Sequence, residues 1–396
     1  MTRLHSLPLA FLLALAPASA RADDTPVQAQ ATVPHPFAYG ILVGSNAGGP
    51  GQITLHYAED DARKVAQVLR ELGRYGQTDL RVLTAPDGAK VLAAIDDVAQ
   101  KMKAHAAKGE QAVLVFYYSG HAKANAFDLG AEELPITTLR EKLRAIPSTL
   151  TLVVLDACQS GQFARIKGVE PAADFSFNSV SRLTQKGIAV MASSSAQELS
   201  QESDELKGSF FTHHFVTALR GAADADGDGR VSLDEAYRYA YRRTLTSTST
   251  TKVGSQHVTL ETDLAGQGEV PVTYPADMRS QLELPGPLDG KVLVQHKASG
   301  NVVAEVQKAP GAPLRLAFTA GAYEAIVRAS GKIHRCKLAL SDDRVTPIDL
   351  GQCDEVKASS LAKGDFGWES EDGEPEPDRA PTEPRVPTEP WAAEVG

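Results

Sequence analysis

Cysteine is scarce in this sequence: it has three among 396 residues, so each has to be accounted for singly. Long apolar runs are scarcer still. The stretch from Leu7 to Ala16 is too short to cross a bilayer as a helix, which takes about 20 residues, and no other segment approaches that length. Glycine-rich phosphate loops leading into a helix with a lysine are missing, so nucleotide binding finds no support. A basic excess is missing too. The net charge is -10, and from Asp365 to Gly396 there are ten acidic residues and two basic ones. The remainder is close to neutral, which speaks against a nucleic-acid partner.

What is there begins with a leader. Arg3, the apolar Leu7 to Ala16, and Ala18-Ser19-Ala20 supply the three regions of a secretory signal over residues 1–20. Cleavage is expected after Ala20, with export to the periplasm or beyond. In an oxidising compartment Cys336 and Cys353 could pair and leave Cys158 free. Spacing alone does not show that the two side chains meet.

Two apolar runs end in chemistry. Leu150 to Leu155 fits a strand buried on both faces, and it stops at Asp156-Ala157-Cys158-Gln159-Ser160-Gly161. Gln111 to Tyr118 is a second such run, stopping at Ser119-Gly120-His121-Ala122. The carboxyl ends of such strands are where open α/β sheets place their ligand crevices. A lone cysteine is more often a small buried packing residue. A His and a Cys delivered to one sheet edge are instead the minimum for thiol catalysis.

SGHA together with DACQSG resembles the caspase-like cysteine peptidases, in their metacaspase and bacterial orthocaspase branch. The resemblance implies that Cys158 attacks a peptide carbonyl while His121 manages the proton, with the backbone N–H groups of Ala122 and Cys158 as oxyanion donors. The family usually has Gly where this chain has Ala122; the N–H survives that change. Asp156 and Asp61, the latter matching an acidic residue early in the family's first helix, imply a pocket for Arg or Lys before the scissile bond. Asp61 is otherwise an ordinary helix-start acid, with Glu59 and Asp60 competing for the assignment. Ser193, Ser194 and Ser195 end the next apolar run, where they line the crevice or cap a turn. The loop from Gln162 to Gln185, with Arg165, Lys167 and Arg182, is a place where a basic-specific peptidase could cut itself.

Strands alternating with helices over residues 37–270 predict a mainly parallel sheet covered on both faces, preceded by a linker over 21–36. Past Pro271 short strands with Gly and Pro turns predict a small all-β module over 271–356, similar to surface-associated modules of the PEGA type. Residues 357–396, with repeated Pro-Thr-Glu-Pro, read as a disordered acidic tail.

Asp224 to Glu235 satisfies the twelve-residue EF-hand loop. Asp224, Asp226, Asp228 and Ser232 supply oxygens, Arg230 a backbone carbonyl, Gly229 the turn and Glu235 the last ligand. That predicts Ca²⁺ as the ion held, with no organic cofactor. The hand is single, whereas EF-hands normally pair, so a connector with poor affinity remains the competing expectation. The remaining histidines are expected to be structural.

Together these features predict an exported, monomeric cysteine endopeptidase acting on peptides or proteins with a basic residue before the cut. It would have no nucleic-acid partner and no membrane span, and a protein or surface could dock on its β module. The alternative is a catalytically silent, calcium-binding interaction module on the same fold.

Overall fold

In chain order the first half of the fold comprises β1 (Phe37–Ser45), α1 (Ala58–Leu72), β2 (Leu80–Thr84), α2 (Gly88–Ala107) and β3 (Ala112–Gly120). A hairpin of β4 (Ala126–Leu129) and β5 (Glu132–Pro135) follows, then α3 (Ile136–Arg144), β6 (Leu150–Asp156) and β7 (Lys186–Ala192). The structure, a computed structural model, describes residues 36–76, 79–123, 125–158, 186–195, 198–266 and 268–356. The leader, the loop from Gln162 to Gln185 and the acidic tail lie outside the described residues.

The second half carries the short pair β8 (Glu202–Ser203) and β9 (Gly208–Ser209), then α4 (Phe210–Thr217). After it come β10 (Val231–Ser232), α5 (Leu233–Thr248), β11 (Thr259–Ala265) and β12 (Pro271–Thr273). The central sheet has six strands in the order β11-β7-β6-β3-β1-β2. β11, expected only as a closing strand, is the antiparallel edge; the other pairings are parallel.

Alternation along the strands sorts the core into two layers. Leu42, Tyr117, Val154 and Met191 face α1, α4 and α5, whereas Ile41, Phe116, Leu155 and Val190 face α2 and α3. Helix α1 shows why: Ala58, Ala62, Val65, Leu69 and Leu72 recur at helical spacing and all are buried. Each large apolar side chain so buried stabilises the fold by about 1.5–3 kcal/mol.

The expected helix over Phe210 to Arg220 is shorter than its pattern. It passes into a wider turn, Ala218–Ala222, in which Gly221 has φ 113°. A Cβ there would also lie 2.6 Å from the Arg315 carbonyl oxygen, so glycine is what lets the second domain come this close.

That second domain has two sheets. One has the order β16-β13-β19 and the other β15-β14-β17-β18-β20. Their strands are β13 (Ser280–Leu284), β14 (Gly290–His296), β15 (Val302–Lys308), β16 (Leu314–Ala317), β17 (Gly321–Ala329), β18 (Lys332–Leu340), β19 (Arg344–Pro347) and β20 (Asp354–Val356). Leu282, Val292, Leu316, Phe318, Val327 and Leu338 share the core of this all-β domain. Cys336 and Cys353 are joined by a disulfide. The cross-link spans 17 residues, a loop for which chain entropy gives about 3 kcal/mol. Reduction is therefore expected to lower the denaturant midpoint of the β domain; an unchanged unfolding curve with and without reductant would refute this.

The two domains touch through polar anchors. Tyr239 donates to the Glu305 carbonyl at 3.3 Å, Arg243 pairs with the Glu305 carboxylate at 3.2 Å, and Arg220 donates to the Ala317 carbonyl at 3.0 Å. Among the described residues no helix is long and apolar enough to cross a membrane.

Candidate active site

Parallel register brings the His and the Cys to one rim. In the β3–β6 ladder Ser119 is opposite Asp156. His121 and Cys158 each follow two residues later, on strands that run about 4.8 Å apart, so both leave the sheet at the same carboxyl edge.

The His121 ring is held from behind. Its Nε2 lies 2.7 Å from the Ile53 carbonyl oxygen. A carbonyl only accepts, so Nε2 carries the proton and Nδ1 is left as the basic nitrogen. The loop bearing Ile53 can approach because Gly48 has no side chain: a Cβ there would come 2.8 Å from His121 Cδ2. Gln52 ties the same loop to Asp128 at 2.9 Å. The buried hydroxyl of Tyr118 donates to the His121 carbonyl at 2.6 Å.

Ala122 forms an antiparallel bridge with Phe127. The bonds of that bridge run from Asp128 N to His121 O and from Lys123 N to Ala126 O, so the Ala122 N–H takes no part in it.

Cys158 is half-buried and not disulfide-bonded. Burial pushes its thiol pKa up, the Ser200 backbone N–H works against that, and the Asp156 charge adds to the rise. The resting side chain is therefore a thiol rather than a thiolate at neutral pH. Among the described residues no hydrogen bond joins it to His121.

Beneath the sulfur lies a buried polar network that sequence reasoning missed. The Asp156 carboxylate accepts from Ser200 at 2.6 Å, from Thr212 at 2.6 Å and from Ser209. Thr212 shares a hydrogen bond of 2.6 Å with the Tyr117 hydroxyl. Gln256, fully buried, donates to the Ser193 carbonyl at 2.8 Å and accepts from Gln201 N at 3.1 Å. These partners come from four separate segments, so no local pattern marked them.

Asp61 joins the same network. Its carboxylate accepts from Ser209 N at 2.9 Å and pairs with Lys64 at 3.0 Å. Burial raises its pKa to about 7, with Lys64 opposing the rise and Asp156 adding to it. Ser193 and Ser194 have no exposed surface. Ser193 bonds Ser200 at 3.1 Å and Ser194 the Ala157 carbonyl at 3.2 Å, so both brace the frame of the crevice, whereas the Ser195 N–H is held by Glu198 at 3.2 Å.

The family model for the caspase domain, Peptidase_C14, matches residues 41–268. The chain belongs to the caspase-domain family. Solved structures similar to it include caspase-1 from Spodoptera frugiperda, with 11% identity, a TM-score of 0.40, and coverage of 61% of this chain and 94% of that one. Another is pro-sf-caspase-1, with 12% identity, a TM-score of 0.38, and coverage of 61% and 95%. No curated protein matches the chain. At the level of the family the caspase domain supports a cysteine-peptidase-like hydrolase.

Away from that crevice, the loop from Asp224 to Glu235 leads into the caspase domain's helix α5. Asp224, Asp226 and Glu235 bring carboxylate oxygens within 4.8 Å of one another. So do Asp226, Asp228 and Glu269. Glu269 comes from outside the loop, so the motif could not reveal it. Burial raises the Asp224 and Glu269 pKa values, and the neighbouring carboxylates add to the rise. An all-oxygen donor set suits a hard divalent cation. Arg230 pairs with Asp228 across the loop, and Ser232 caps α5 in a capping box with Glu235. The hand's partner is a plain strand and not a second hand: β10, at the loop's apolar position, pairs antiparallel with β12.

Proposed function

We propose that this protein is an exported cysteine endopeptidase that cleaves after Arg or Lys. The observation that carries this is the shared rim: adjacent, in-register strands ending in SGH and DAC, with the Asp156 charge acting on the thiol and Asp61 joined to Asp156 through Ser209. In the proposed reaction His121 Nδ1 takes the Cys158 proton as the sulfur bonds to the substrate carbonyl carbon. The oxyanion that develops is received by the backbone N–H groups of Cys158 and Ala122. His121 then returns the proton to the leaving amine as the C–N bond breaks, and water later hydrolyses the thioester. Asp156 and Asp61 supply the negative field for the cationic side chain, and Ser195 is assigned a substrate contact. Export fits the leader at residues 1–20 and the Cys336–Cys353 bond.

The test is turnover of fluorogenic peptides ending in Arg, Lys or Asp by the mature chain. Cleavage after Arg and Lys, absent in Cys158→Ala, is the expected result. Cleavage after Asp would overturn the pocket assignment and leave the nucleophile standing. Silence towards every peptide by a folded chain would favour the second function, a catalytically silent, calcium-binding interaction module on the caspase fold, for which the carboxylate clusters of Asp224, Asp226 and Glu235 and of Asp226, Asp228 and Glu269 are the motivating observation.

We also propose that the loop from Asp224 to Glu235 binds Ca²⁺ through Asp224, Asp226, Asp228, Ser232, Glu235 and the Arg230 carbonyl, with Glu269 added. Affinity in the range of extracellular modules, about 10⁻⁴–10⁻³ M, is expected. Calorimetric titration should give a Ca²⁺ signal in the parent and none in Asp224→Ala. Equal signals would end the assignment.

A further inference from the structure

His121 is tied at both ends by one closed circuit of contacts. At the ring end, Nε2–H reaches the Ile53 carbonyl at 2.7 Å. At the backbone end, the His121 carbonyl accepts from Asp128 N at 2.9 Å and from the Tyr118 hydroxyl at 2.6 Å. Gln52 closes the circuit: it is the residue before Ile53, and its Nε2 donates to Asp128 Oδ2 at 2.9 Å.

Asp128 has no exposed surface, and burying a carboxylate is costly unless it is paired and hydrogen-bonded. Its Oδ2 has Gln52, and Lys123 Nζ lies 3.2 Å from its Oδ1. Lys123 is 42% exposed and is shared with Glu133, so it leads outward, whereas Gln52 leads to the ring. A carboxylate only accepts, so the nitrogen of the Gln52 amide faces Asp128 and its oxygen is left for Gly49 N–H, at 2.6 Å. The amide therefore has one orientation. Gln52 N also donates to the Gly49 carbonyl at 3.1 Å, and Leu55 N to the Asn46 carbonyl at 2.9 Å. Ile53 stands between these two anchors. Its side chain is 79% exposed, so packing of that side chain does not hold its carbonyl on the ring. Gly48 fills the space between: a Cβ there would lie 2.6 Å from Gln52 Cβ and 2.8 Å from His121 Cδ2. A shift of Gln52 is thus felt at the imidazole directly as well as through Ile53.

We propose that Asp128 and Gln52 are positioning residues for His121: the buried carboxylate orients the Gln52 amide, and Gln52 sets the Ile53 carbonyl that keeps the ring proton on Nε2. Neither residue has to touch substrate. With the carbonyl displaced, the proton exchanges between the two ring nitrogens, and the fraction of molecules with Nδ1 protonated cannot take the Cys158 proton. The kinetic consequence rests on the peptidase function proposed above; the tautomer does not.

The experiment is nitrogen NMR of the full mature chain labelled at histidine, at pH 8, with the His121 signals assigned by their loss in His121→Ala. The parent should show a protonated Nε2 and a bare Nδ1. Gln52→Met, similar in size and without either side-chain bond, should move the two signals towards each other. Gln52 lies between the exposed Gly51 and Ile53, so the fold should survive the change, and the melting temperature checks that it does. On Arg peptides Gln52→Met should lower kcat about 10- to 100-fold with KM within about twofold, the scale of a displaced catalytic group. Asp128→Asn still offers Gln52 an oxygen, so it should lower kcat about tenfold or less. Once Gln52 is Met it should lower kcat no further, because the two act through one chain of contacts. A parent with the proton on Nδ1, or ring signals unchanged in Gln52→Met whatever its melting temperature, would overturn the assignment and leave Gln52 a loop brace. Additive losses in the double variant would overturn the part given to Asp128. Shifted signals with an unchanged kcat would overturn the kinetic consequence alone. Absence of turnover by the parent counts against the peptidase function and leaves the ring signals to decide the positioning.

Discussion

Cys158→Ala should lower kcat/KM on Arg and Lys peptides by about 10⁴-fold or more, the scale seen when an attacking group is removed. The loss is large because no other cysteine offers a free thiol: the other two are joined to each other. His121→Ala should cost about 10²–10⁴-fold, the range of general acid–base catalysis. The combined variant should be little worse than Cys158→Ala alone, since two groups that act as one unit are not additive. The resting thiol, raised by burial, adds a pH signature: alkylation of Cys158 by iodoacetamide should be slow at neutral pH and climb as pH rises. Rapid alkylation at pH 6 would show a preformed thiolate and contradict the proposed order of proton transfer.

Where each of these groups sits was legible because strand ends are local features. A buried apolar run followed by SGH or DAC declares both the strand and the residue at its edge, and in-register pairing of β3 with β6 then follows from alternating strands and helices. The EF-hand loop was legible for the same reason, since twelve adjacent residues carry it. What surrounds these groups was not. Ser209 and Thr212 reach Asp156 because α4 folds back beneath β6, and Gln256 reaches Ser193 from the chain just before β11. The Ile53 carbonyl that fixes the His121 tautomer belongs to the backbone, which carries no sequence signal at all. Glu269 escaped notice because its place depends on β12 pairing with β10. The β domain shows the same limit on a smaller scale. Six of its strands are legible from their patterns, the four-residue β16 and β19 among them, whereas β13 (SQLEL) and β20 (DEV) interleave or replace apolar residues with polar ones and pass for connections.

Asp156→Asn should lower kcat/KM about 10- to 150-fold for peptides with Arg before the cut, the equivalent of one charge-assisted hydrogen bond of about 1.5–3 kcal/mol. The three hydroxyls that now donate to Asp156 can rotate to meet the amide, so the fold should persist. Peptides with citrulline in place of Arg separate charge recognition from bracing, because they keep the shape and lose the charge. If Arg and citrulline peptides lose activity equally, Asp156 is a brace and the pocket assignment fails. Asp61 adds a pH dependence with a definite sign. Its folded pKa of about 7 stands above the ordinary carboxyl value of 3.8, chiefly through burial, so its contribution to stability is full below pH 3.8 and is lost as pH rises through about 7. The loss amounts to at most about 4 kcal/mol, from 1.36 kcal/mol per unit. Binding of a basic side chain should strengthen over the same window, as the carboxyl ionises. Asp61→Asn should flatten both curves: the parent's melting temperature, measured from pH 4 to 8, should fall relative to that of the variant, and KM for Arg peptides should fall in the parent only. Parallel melting curves would mean that Lys64 keeps Asp61 ionised throughout, and that the cation in this pocket is the protein's own.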